Sequence, residues 1–209
     1  MKKYISFVLA LVFAALVLSS CGAKDLNFVY ADGKISSGDA TYICAPMGFQ
    51  PCQVGEKCAT RDGAFELYEI KDRDGNAVPT DEWMTEEYAG DLTSIYYREG
   101  KVNLPEYSEI DFDTVYVCEE DETVVYVTEI TDKELISTLI DALHTGATSV
   151  MLDEPTETYS LKFHSKNYPA IYYSVKYLIY EDGAYLFSRG TKTYANIGTL
   201  LDGYADQLK

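Results

Sequence analysis

The sequence predicts an α+β protein in which an antiparallel sheet carries two helices packed on one face and is preceded by a smaller β-rich lobe. Three observations predict it. Residues 159–179 hold two runs in which apolar and polar side chains alternate, as in strands with one buried face. Leu135, Ile136, Leu139, Ile140 and Leu143 recur at helical spacing, and Ile197, Leu201, Tyr204 and Leu208 repeat that spacing near the carboxy terminus. Residues 26–104, in contrast, form short stretches of strand composition broken by glycine, proline and Asp-Gly pairs.

The chain opens with Lys2 and Lys3, followed from Tyr4 to Leu18 by an almost unbroken apolar run that ends in Leu18-Ser19-Ser20-Cys21. A bilayer span needs roughly 20 apolar residues, so this run suits the core of an export signal better than a membrane helix. The segment resembles the leader and lipobox of bacterial prolipoproteins. That resemblance implies diacylglycerol on the Cys21 sulfur and cleavage before it, with residues 1–20 as signal peptide and 21–25 as tether. It also implies a cell-membrane protein on the extracytoplasmic face. Burial of acyl chains, palmitate among them, gains about 0.8 kcal/mol per CH₂, so two chains on one cysteine suffice as an anchor.

Acidic residues number 34 against 17 basic ones, and without the two leader lysines the mature part has 34 against 15, a formal charge of −19. Such a charge repels phosphate and anionic head groups, which excludes nucleic acid as a partner and leaves the Cys21 lipid as the membrane contact. The 19 tyrosines suit strands and half-wet surfaces. Cys44, Cys52, Cys58 and Cys118 remain after the lipidated residue, an even number that permits two disulfides in three connectivities in an exported chain. Cys44 with Cys52 across a short loop, leaving Cys58 with Cys118, is the preferred pairing. Their spacing fits no zinc, haem or redox pattern.

Within the lobe, Leu26, Phe28 and Tyr30 mark a first strand before the Asp32-Gly33 turn. Residues 36–39 have loop composition, 41–44 form a short strand, and 47–56 a glycine- and proline-marked loop. Residues 65–71 form a strand closed by Asp74-Gly75. Thr80 to Tyr88 predicts a short helix, since Pro79 and Thr80 stand at its start, Asp81 and Glu82 fill its first turn and Gly90 follows it. A strand over 94–97 comes next. The polar stretch 101–109, with Pro105, divides the lobe (26–104) from a carboxy-terminal domain (105–209).

The domain begins with two strands, 110–118 and 123–130, joined by Glu119-Glu120-Asp121-Glu122 as a hairpin. Thr131-Asp132-Lys133-Glu134 reads as a capping box with Thr131 as the cap, and Gly146 ends the helix. Strands over 159–163, 171–179 and 184–188 follow, the last two turning at Glu181-Asp182-Gly183, and a final helix lies within 194–208 despite Gly198 and Gly203. In its acid-capped helix, tyrosine-rich hairpin and terminal helix this half resembles domains of small, uncharacterised bacterial surface lipoproteins. That resemblance implies no particular chemistry.

No motif assigns an activity. Asp72-Arg73-Asp74-Gly75-Asn76 has alternate oxygen ligands, but Ala77, Pro79 and Trp83 stand where a calcium loop needs other residues, so a plain turn is expected and no metal or cofactor is assigned. The acidic run 119–122 reads as a solvated turn. The two histidines, His144 and His164, form no zinc-hydrolase or esterase motif, and Cys58 and Cys118 carry no thiol-protease signature. Tyr96, Tyr97, Tyr172 and Tyr180 are the candidate binding surface, placed outward on strands to stack on a sugar or grip a peptide. The expected function is a lipid-anchored, non-enzymatic module that binds an envelope protein, peptide or glycan. The alternative is a surface-anchored hydrolase with an unrecognised active site.

Overall fold

A computed structural model describes residues 26–87, 93–120, 124–147, 154–181 and 183–205. The expected signal, lipobox and tether therefore lie outside the described residues, as do Asp121, Glu122 and Asp182.

The protein is mostly β, with 53% strand against 12% helix, which corrects the expected α+β class. Seven strands of the amino-terminal region close into a barrel: β1 (Leu26–Ala31), β2 (Lys34–Ser37), β3 (Ala40–Cys44), β5 (Gln53–Arg61), β6 (Phe65–Lys71), β7 (Trp83–Glu87) and β8 (Thr93–Arg98). They run in the order β1-β2-β3-β8-β7-β6-β5, and a parallel pairing of β1 with β5, Leu26 opposite Ala59 and Phe28 opposite Arg61, shuts the circle. Closure leaves no open edge. Local chemistry supports the hairpins: Asp32 and Gly33 both take positive φ (51° and 76°), the two-residue turn whose twist matches the strands it joins.

The second sheet is antiparallel, with β9 (Thr114–Glu120), β10 (Val124–Ile130), β11 (Glu157–His164), β12 (Ile171–Tyr180), β13 (Gly183–Ser188) and β14 (Thr193–Asn196) in the order β10-β9-β11-β12-β13-β14. The short strand β4 (Phe49–Pro51), in the stretch expected to be a loop, leaves the barrel to pair with Ile171, Tyr172 and Tyr173 of β12. The expected hairpin forms between β9 and β10.

One long helix, α1 (Lys133–Thr145), crosses the sheet against β9, β13 and β14. Its cap is Asp132 rather than Thr131; the carboxylate accepts the Leu135 amide at 3.0 Å. Ile136, Leu139, Ile140 and Leu143 are buried, each contributing about 1.5–3 kcal/mol on leaving water. The apolar row Leu161, Phe163, Val175 and Tyr177 lies in the same core as α1, joined there by Trp83, Ile95 and Ile70 of the barrel wall. Helix and barrel therefore share the sheet's apolar face.

The two other expected helices are corrected. Residues 83–87 form β7, in which Trp83 and Thr85 alternate with Met84 and Glu86 and all four are buried. Alternation with burial on both sides is a strand property, and acids after a proline are too weak a signal to override it. Near the carboxy terminus only α2 (Asp202–Ala205) is helical among the described residues, outside which Leu208 lies. Residues 194–196 pair with β13, and Gly198 sits at φ +52°, which a continuing helix cannot accept. Ile197 and Leu201 are nevertheless buried, so the apolar spacing marked core contacts rather than a helix. Among the described residues no helix is long and apolar enough to cross a membrane.

Candidate functional site

Where barrel and sheet meet, three turns enclose an open cleft of about 610 Å³. The first turn follows β6. Asp72 accepts the Asn76 backbone amide at 2.8 Å and its side-chain amide at 3.0 Å, and Gly75 takes positive φ within the loop. The side-chain bond from Asn76 is the main cause that holds the Asp72 carboxyl below its usual range. The chain then passes Val78 and Pro79, whose carbonyl accepts the amides of Glu82 and Trp83.

The second turn, after β8, brings Lys101, Val102 and Asn103 to the cleft, and Lys101 pairs with Asp81. The third connects β11 to β12 and supplies Asn167, Tyr168 and Pro169. It is tightly held. Ser165 Oγ donates to the Asp111 carbonyl at 2.7 Å, the Lys166 amide donates to Asp113 Oδ2 at 2.8 Å, and the Tyr168 hydroxyl donates to the Asn103 carbonyl at 2.9 Å. Exposed Pro79 and Pro169, backed by the buried Val78 and Trp83, lie beside this polar rim, an arrangement that suits a small ligand.

Behind the third turn lies an aromatic cluster on the other side of the sheet. Tyr116 meets Tyr172 edge to face at 5.8 Å, His164 lies 5.7 Å from Tyr172, and the Arg73 guanidinium stacks 4.4 Å over Tyr116 while donating to its hydroxyl at 2.7 Å. His164 is buried, and among the described residues its Nδ1 makes no hydrogen bond, standing 3.7 Å from Asp113 Oδ1. Burial lowers the histidine's proton affinity, and the Asp113 charge only partly opposes this. Cys52 Sγ donates to the Pro169 carbonyl at 3.3 Å, so the cluster also braces the cleft wall.

No protein family, curated protein or solved structure matches the chain. The site must therefore be read from its own chemistry.

The four tyrosines of the candidate surface do not share a face. Tyr96 points into the barrel, 2% exposed, and its hydroxyl donates to Glu86 at 3.1 Å, so it is an interior residue. Tyr97, on the opposite side of the same strand, is half-buried beside Trp83. Tyr172 is buried in the cluster with Tyr116 and His164, and Tyr180 packs edge to face on Tyr185 at 5.7 Å. His144 is exposed in the last turn of α1.

No disulfide joins Cys44, Cys52, Cys58 or Cys118. Cys44 and Cys58 pack on the barrel interior from β3 and β5, with two strands between them the short way round. Cys52 and Cys118 belong to the Tyr116–Tyr172 cluster. Burial pushes the Cys52 thiol up to about 12 and that of Cys58 to about 11, and it raises Cys44 as well. Thiols so shifted are poor nucleophiles at neutral pH.

Sequence reasoning missed Glu82, Asn103, Asn167 and Tyr168. Their only signal was position, in short polar turns beside Pro79, Pro105 and Pro169, and nothing local says that three such turns converge. Among the described residues no group of three His, Cys, Asp or Glu side chains is placed to hold a metal ion.

Proposed function

We propose that this chain is a lipid-anchored protein of the bacterial cell envelope, held on the extracytoplasmic face by the Cys21 lipid, that binds a ligand in the cleft between barrel and sheet without transforming it. The observation that carries the binding reading is the cleft's chemistry: a concavity of about 610 Å³, within the usual range for ligand sites, that combines apolar surface with polar groups the fold does not use. The lipobox supports the anchor. A mature charge of −19 opposes any electrostatic attachment to anionic lipid, so the thioether-linked lipid carries the attachment alone. The raised thiol pKa values favour binding over covalent catalysis at the cysteines.

Two measurements test this. Cys21→Ser in the full-length chain is expected to end incorporation of labelled palmitate and to move the protein from the membrane to the soluble extracytoplasmic fraction; continued membrane association refutes the lipid anchor. Trp83 is the chain's single tryptophan and lines the cleft, so its emission reports occupancy. Short envelope-type glycans and peptides are expected to include at least one that shifts it saturably. A flat response to all of them refutes binding in the cleft.

A further inference from the structure

The polar groups lining the cleft divide into those already engaged and those without a partner. The Asp72 carboxylate holds Asn76, the Lys101 ammonium is held by Asp81, and the Tyr168 hydroxyl is donated to the Asn103 carbonyl. The Glu82 carboxylate and the Asn103 and Asn167 carboxamides form no hydrogen bond or ion pair with any described residue, although the amides of Glu82, Lys101, Val102, Asn167 and Tyr168 are all engaged. We infer that this cleft takes a neutral saccharide, with Glu82, Asn103 and Asn167 as its hydrogen-bonding residues. The inference rests on the binding role proposed above and names the ligand class.

Three arguments lead there, and the first is charge. Among the described residues the lining holds the carboxylates of Asp72 and Glu82 and one cation, Lys101, which is paired with Asp81. A phosphate, nucleotide or uronate entering the cleft meets net negative charge inside a chain whose formal charge is −17.

Backbone chemistry gives the second argument. An extended peptide is commonly recognised by adding a strand to an open sheet edge, which requires a row of free N–H and C=O groups. Here the amides of Val78, Lys101, Val102 and Tyr168 already donate to Ile70, Arg98, Arg98 and Ser165. Pro79 and Pro169 have no N–H to offer. The walls are turns with no ladder for a peptide to join.

The third is complementarity. A sugar hydroxyl both donates and accepts, which a carboxamide matches with one of each and a carboxylate matches as a two-oxygen acceptor for neighbouring hydroxyls. The C–H face of a pyranose ring is apolar, and Tyr168 with the two prolines offers apolar surface beside the polar groups.

The test uses the mature lipidated protein in a detergent without a sugar head group, with Trp83 emission as readout. Probes are the neutral trisaccharides chitotriose, cellotriose, maltotriose and mannotriose, against trigalacturonate, spermine and a blocked penta-alanine peptide. At least one neutral trisaccharide is expected to shift the emission saturably while trigalacturonate does not. Glu82→Gln and Asn167→Ala are each expected to weaken that binding about tenfold, the loss of one hydrogen bond to the ligand. Both positions are at least partly exposed, and an unchanged urea midpoint shows that a variant is folded. Saturable binding of spermine or the peptide without any trisaccharide overturns the saccharide inference and leaves the cleft as a binding site. Trisaccharide binding that survives both substitutions overturns the residue assignment, and silence from every probe overturns both proposals.

Discussion

The barrel and the second sheet solve the same problem, a twisted layer with one face to hide, in opposite ways. The sheet buries aliphatic and aromatic side chains under α1 and the barrel wall. The barrel closes on itself around Phe28, Ile35, Tyr42, Leu67, Met84 and Tyr96, and places a charge pair among them. The Arg61 guanidinium grips Glu86 with Nε and Nη2 at 2.7 Å each, donates to Asp62 at 2.9 Å, and stacks on Phe65 at 4.1 Å. Glu86 is 1% exposed and also accepts the Tyr96 hydroxyl. A small barrel interior can thus rely on paired polar groups where the larger sheet core relies on volume.

This contrast can be broken by substitution. Glu86→Ala takes away the buried partner of Arg61 and leaves it only the half-exposed Asp62, and the expected loss is about 3 kcal/mol in urea unfolding. Replacing Arg61 by Met and Glu86 by Leu together should recover most of that loss, because two matched apolar side chains remove both desolvation costs. A double variant as unstable as the single one would show that the pair does more than satisfy itself. In the sheet core, Leu139→Ala has no charge to strand and is expected to cost about 2–5 kcal/mol through lost transfer energy and a cavity.

Smaller changes sharpen the comparison. Tyr96→Phe deletes one bond to Glu86 without altering the packing, for an expected loss of about 1 kcal/mol. Asp132→Ala removes the α1 cap at a similar cost of about 1 kcal/mol. The pH dependence of unfolding separates the regions further. Burial depresses the proton affinity of folded His164 below the ordinary 6.5, so the unfolded chain binds the additional proton. Its contribution is complete above 6.5 and is lost as pH falls toward the folded value, with a slope under about 1.4 kcal/mol per pH unit. His164→Gln should flatten that part of the stability curve.

Asp113 titrates lower. Burial raises its carboxyl pKa, but the Lys166 amide, the Thr114 hydroxyl and nearby positive charge outweigh burial and leave it depressed, so its contribution disappears as pH falls below 3.8. The smallest effect is kinetic. Alkylation of Cys52 and Cys58 at neutral pH should be slow in the native protein, and four thiols besides Cys21 should react once the chain is denatured without reductant.

The sequence alone determined what depends on near neighbours. The hairpin of β9 and β10, the amphipathic α1, and the inward rows of β11 and β12 are written in residues a few positions apart. Even there, the choice of Asp132 over Thr131 as cap needed coordinates. Residues 83–87 and 194–201 depart from the helices their sequence predicts because apolar spacing and acidic starts do not separate a doubly buried strand or a run of turns from a helix. Tertiary structure decided the rest. Barrel closure joins Leu26 to Ala59, the buried pair joins Arg61 to Glu86, the cleft wall is braced from Cys52 to Pro169, and the cleft itself unites turns near residues 78, 102 and 168. Each contact gains its energy only when distant segments meet, and no local preference for helix, strand or turn encodes that meeting.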